Sequence, residues 1–155
     1  MNSVLTSLIA VAGTLAGSSL TYLFGRLTAR RTERVARDER LRQDRIAAYA
    51  GFVGAMTELR QAVISLWFLT RDRPDAPDVR DAQREADKRG AAAHHARFSV
   101  QLLTDDAELL ELADSVFGPV DALVDAEGRA ELRTLEDRSE EMLAAFIRAA
   151  GSQVR

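Results

Sequence analysis

The first 25 residues carry no charged side chain, in a sequence where 29% of residues are charged. From Val4 to Gly25 the segment is Leu, Val, Ile, Ala, Phe and Tyr, diluted by Gly, Ser and Thr. As a helix, this stretch would be about 33 Å long at about 1.5 Å per residue. The hydrocarbon core of a bilayer is about 30 Å thick. Hydroxyl side chains can bond back to their own helix, so lipid tolerates them where it rejects charge. The expectation is a transmembrane helix over residues 1–27. Soluble helices rarely go uncharged for so long. A cleaved signal peptide puts positive charge before its apolar run. Here the arginines come after it.

Those arginines also set the expected sidedness. Residues 26–45 hold eight arginines against four acids. Such flanks stay on the cytoplasmic side. The sequence therefore predicts a single-pass protein of the cell membrane, with its N-terminus outside and its C-terminal domain in the cytoplasm. Arg26, Arg30, Arg31 and Arg34 lie nearest the expected boundary. Each can gain about 1 kcal/mol from anionic headgroups; plain topological signalling is the competing reading. Residues 28–45 lack Pro and Gly. Opposite charges fall four apart at Glu33 and Arg37, Arg34 and Asp38, Asp38 and Arg42, and Arg40 and Asp44. That pattern suits a solvated helical stalk.

Small residues recur every fourth position in the apolar segment, at Gly13, Gly17, Thr21 and Gly25. Such a face lets two helices approach closely in lipid, where packing rather than the hydrophobic effect drives association. A homo-oligomer joined through the transmembrane helix follows as an expectation. A pore lined by Ser7, Thr14, Ser18 and Thr21 is a further reading, without the ring of charges a filter commonly has.

Residues 46–155 read as a bundle. Ile46, Tyr49, Val53, Met56, Val63 and Trp67 recur at helical spacing, with Phe52, Leu59 and Leu66 beside them and Arg60 interrupting. Gly51 and Gly54 suggest close approach of a neighbouring helix. Pro74 and Pro77 mark a loop, with Asp75 or Asp78 expected to cap the next helix. That helix carries Val79, Ala82, Ala86, Ala93, Ala96, Val100 and Leu103, with Arg89 interrupting. Asp105 with Glu108 resembles a capping box for a third helix, which Gly118-Pro119 should kink or split. Leu132, Leu135, Met142, Leu143, Phe146 and Ile147 give the last. No strand-like alternation occurs. The predicted fold is all-α: a transmembrane helix (1–27), a charged juxtamembrane stalk (28–45) and an antiparallel, up-down four-helix bundle (46–155).

Chemistry is sparse. There is no cysteine, which removes disulfides, thiolate metal sites and thiol nucleophiles. HExxH, GxGxxG and GxxxxGK[ST] are all absent. His94 and His95 are adjacent, so on a helix they point about 100° apart and serve one metal poorly. The expectation is a non-enzyme with no catalytic, cofactor-binding or metal residues. Net charge is −3 and acids interrupt the basic run, so nucleic acid is not an expected partner. The expected partners are the lipid bilayer, a second copy of the chain and an unidentified cytoplasmic protein.

The segment ending Leu20-Thr21-Tyr22-Leu23-Phe24-Gly25, the Arg-rich stretch after it, Arg45-Ile46-Ala47-Ala48-Tyr49-Ala50-Gly51-Phe52-Val53 and Ala145-Phe146-Ile147-Arg148-Ala149-Ala150 together carry a resemblance. The chain resembles small actinobacterial single-span membrane proteins of unknown function. The resemblance implies a membrane helix with a cytoplasmic helical domain, and no activity or site residues.

The leading functional reading is a membrane-anchored, non-enzymatic interaction or scaffold module that self-associates. The alternatives are a tethered sensor, with a small apolar molecule near Trp67, Phe68 and Phe98, and a small oligomeric pore. Gly17→Leu is expected to abolish self-association of the apolar segment in a membrane two-hybrid reporter; an undiminished signal would remove Gly13 and Gly17 as a contact face.

Overall fold

The computed structural model describes residues 32–74 and 76–155, and assigns helix α1 to Asn2–Asp72. The remaining elements are α2 (Pro77–Leu103), α3 (Ala107–Ser115), α4 (Phe117–Ala122), a single 3-10 turn (Leu123–Asp125) and α5 (Arg129–Gln153). Among the described residues there is no strand, so the fold is all-α. The chain divides into two units, Met1–Leu41 and Arg42–Arg155. In the first, every side chain from Thr32 to Leu41 is exposed. The expected transmembrane helix lies outside the described residues, as do Gly13, Gly17, Thr21, Gly25, Arg26, Arg30 and Arg31; Arg34 is described and exposed. Among the described residues no helix is long and apolar enough to cross a membrane.

The second unit is built on one face of α1. Tyr49, Phe52, Met56, Leu59, Val63, Leu66 and Trp67 are all buried. Their spacing of three and four keeps them on one side of a helix with 3.6 residues per turn. Contacts along that face fix the topology. Tyr49 bonds to Gln153, Arg60 pairs with Glu140, and Trp67 bonds to the Ala126 carbonyl, so α1 and α5 run antiparallel. Arg45 reaches Leu103 and Glu58 reaches Arg89, so α1 and α2 are antiparallel too. His94 against Phe117 and Arg97 against Asp114 set α2 antiparallel to α3 and α4. Counting α3, α4 and the 3-10 turn as one segment, the unit is an up-down arrangement of four helical rods.

Packing follows residue size. Phe52 from α1 and Phe146 from α5 meet with ring centroids 4.9 Å apart, and Phe117 from α4 lies 6.2 Å from Phe52. The buried positions of α2 are the small Ala86, Ala93 and Val100.

Several local expectations shift. The third rod breaks at Val116, before Gly118-Pro119 and not at it, which leaves Pro119 in the first turn of α4. Proline lacks an N–H for the Ser115 carbonyl four residues back, so the helix must restart upstream of it. The cap of α3 is Asp106, not Asp105: its Oδ1 accepts the Leu109 N–H at 2.9 Å. The cap of α2 is Ala76, with no side-chain bond; Asp78 lies in the first turn and Pro77 at its start. Asp75 lies outside the described residues. Gly51 and Gly54 are exposed and a Cβ on either would meet nothing within 4 Å, so they do not admit a neighbouring helix of this chain.

Open glycines in a helix cost conformational entropy without return. Gly51→Ala and Gly54→Ala should each raise unfolding stability by about 1 kcal/mol, measured by urea denaturation. Phe52→Ala should lower it by about 3–5 kcal/mol.

Candidate functional site

Among the described residues, two features of the interior are plain. No buried side-chain nitrogen or oxygen lacks a partner. No group of three or more His, Asp or Glu is placed to hold a metal. His94 is exposed and stacks on the Phe117 ring, at 4.6 Å and 8°. His95 is exposed beside it.

The charged residues that interrupt the apolar rows join helices. Arg60 Nη1 lies 2.9 Å from Glu140 Oε1 and donates to Ser139 Oγ, binding α1 to α5. Arg89 bonds Glu85 Oε1 at 2.6 Å within α2 and also pairs with Glu58 of α1. Arg97 pairs with Asp114, binding α2 to α3. The Glu85 hydrogen bond, then the charges of Glu85 and Glu58, push the Arg89 pKa above its ordinary value. The hydrogen bond to Asp114 does the same for Arg97. A raised cation is stabilising at every pH below its unfolded pKa, and that contribution fades only as pH climbs through the arginine range. Neither arginine is therefore a switch at neutral pH.

Each end of the bundle is closed by polar contacts. At the Arg42 end, Tyr49 Oη and Thr104 Oγ1 both donate to Gln153 Oε1, at 3.0 and 3.1 Å, and Arg42 donates to the Val154 carbonyl. At the other end, buried Trp67 donates to the Ala126 carbonyl at 2.8 Å. Arg71 lies over the Trp67 ring and donates to the Glu127 carbonyl. Phe68 meets Trp67 edge-on at 5.0 Å. Phe98 is elsewhere, half-exposed on the outer side of α2. The three aromatics considered together from sequence are thus split between two places.

What remains open is apolar surface. A groove of about 350 Å³ runs between α1 and α5, lined by Ile46, Tyr49, Ala50, Val53, Phe146 and Ile147 among others. Sequence spacing put Ile46, Val53 and Ile147 in the core. Instead Ile46 and Ile147 are 40% and 48% exposed, and Val53 is only partly covered. Helix α5 covers one edge of the α1 stripe, through Phe146, and leaves the outer edge bare. Two basic side chains bond to residues that line this groove: Arg42 donates to the Val154 carbonyl and Arg155 Nε to the Gly151 carbonyl. Burial identified the groove; the apolar pattern did not, because a stripe wider than its partners looks identical in sequence.

Tyr49→Phe removes one of the two hydroxyl donors on Gln153 and leaves the ring in place. It should cost about 1 kcal/mol in thermal unfolding, with the helical circular dichroism unchanged.

The family model that matches the chain is that of the KilB plasmid transfer protein, over residues 46–154. No curated protein and no solved structure matches it.

Proposed function

The chain belongs to the KilB plasmid transfer protein family, and on that premise we propose that it is a membrane-anchored, non-enzymatic interaction module serving plasmid transfer. In this reading the apolar N-terminal segment, with the arginines after it, holds the chain in the cell membrane and self-associates through Gly13, Gly17, Thr21 and Gly25. The N-terminus faces out and residues 28–155 face the cytoplasm. Arg26, Arg30, Arg31 and Arg34 rest on anionic headgroups.

One observation carries the interaction role: a bundle with both ends closed leaves an apolar groove open between α1 and α5. Contiguous exposed apolar surface marks a contact site more often than chance. The groove suits the apolar face of an amphipathic helix. Arg42 and Arg155 favour a helix with acidic flanks, so the proposed occupant is an acidic amphipathic helix of another transfer protein.

A photo-crosslinking residue at Ile147, in cells carrying a transferring plasmid, tests this. It should trap one discrete protein partner, and Arg155→Glu should weaken the product. Equal trapping from a control position such as Arg133, on the exposed side of α5, would contradict the proposal, as would no product at Ile147.

A further inference from the structure

The groove between α1 and α5 has a shape that an apolar lining alone does not require. On α1 it is lined by Ile46, Tyr49, Ala50 and Val53, and on α5 by Ile147, Ala150, Gly151 and Val154. Each set sits at positions i, i+3, i+4 and i+7, which are the corners of a hole that accepts one side chain of a neighbouring helix. In both sets the first and last residues are β-branched and the residue at i+4 is small, Ala50 on α1 and Gly151 on α5. Tyr49 and Ala150, at the i+3 corners, are buried and close the inner side.

The two holes are neighbours. Arg42 bonds to the Val154 carbonyl and Phe52 packs on Phe146. Ile46 and Val154 therefore share one end of the groove, and Val53 and Ile147 the other. β-Branched side chains are stiff at χ1, so these four rims hold their shape before anything binds. A Cβ on Gly151 would meet nothing within 4 Å, and Ala50 is exposed, so both floors are open. A cavity of about 150 Å³ holds one benzene-sized group. The groove, at about 350 Å³, has room for two side chains.

We propose that the partner helix enters this groove with two large aliphatic side chains three or four positions apart, one seated over Ala50 and the other over Gly151. This rests on the groove being a helix-docking site, and adds what that helix must carry. Residues three or four apart share one helix face, whereas residues two apart point to opposite sides and cannot enter together. Leucine and methionine, unbranched at Cβ, reach between the rims; valine and isoleucine would bring a second carbon against them. Two separate holes suit paired side chains of one helix, where an acyl chain would use a continuous trough. Arg42 and Arg155 both bond near the Val154 end, so the partner's acidic residues fall on that side of the pair.

The first test adds leucine inside and outside the holes of the full chain, with a small diazirine side chain at Ile147, in cells carrying a transferring plasmid. Ala50→Leu and Gly151→Leu each fill one hole from its floor. Ser152→Leu makes the same addition one position away, off the groove. Both hole-filling variants should bring the Ile147 product down to the level at the control position Arg133, and Ser152→Leu should leave it intact. No product from the native chain would remove the docking role and this proposal together. A native product that both hole-filling variants leave undiminished would overturn the paired holes while the docking role stands. The second test uses the native chain and does not depend on how the variants fold. Fluorescent helical peptides rich in Glu and Ala are titrated onto the full chain in phosphatidylcholine nanodiscs, with empty nanodiscs as the blank. A leucine pair four apart should bind at least about tenfold more tightly than a pair two apart, from the apolar burial of the second leucine. Equal binding of the two peptides, or none above the blank, would overturn the proposal.

Discussion

Three phenylalanines meet in the middle of the bundle, and the rest of the second unit is arranged around them. Phe52, Phe117 and Phe146 come from three rods, and the fourth, α2, buries the smaller Ala86, Ala93 and Val100. The rings supply most of the apolar area in that layer. From α2, Arg89 reaches Glu58 and Arg97 reaches Asp114. Those pairs, with Arg60 and Glu140, fix how the helices slide past one another. Exposed or partly exposed pairs add little stability individually. Their contribution here is to register, which burial alone specifies poorly between helices rich in alanine.

The bundle has only four rods and covers only part of each perimeter. Two apolar strips are left: the edge of the α1 stripe at Ile46 and Ala50, and the far side of α2 at Phe98 and Leu102. Both lie on a unit whose described buried side-chain polar atoms all have partners and whose ends carry polar contacts. Exposed apolar strips of this kind are the surface on which the proposed docking role rests.

Periodicity made the rods legible. The buried face from Tyr49 to Trp67, the alanine row of α2 and the Phe146 face of α5 all follow from apolar residues three and four apart. The breaks were less legible, because they depend on individual backbone bonds. Asp105 and Asp106 are equivalent in sequence, and only geometry shows that Asp106 accepts the Leu109 N–H. Ile46 and Ile147 have core chemistry, and only the neighbours' positions reveal that nothing covers them. Phe98 and Leu102 drew no attention as a surface pair, since the core row of α2 accounted for its alanines and valines. A scan of the opposite face for seven-residue spacing would have found them.

The proposed function divides the labour between an uncharged N-terminal segment, proposed to hold the chain in lipid, and a bundle proposed to fold without it. Alkaline carbonate extraction of cell membranes, comparing the full chain with a version beginning at Arg42, tests it most directly. The account predicts that the full chain stays in the membrane pellet while the shortened chain is released, folded and helical. Release of the full chain into the supernatant, or a shortened chain that fails to fold, would contradict it.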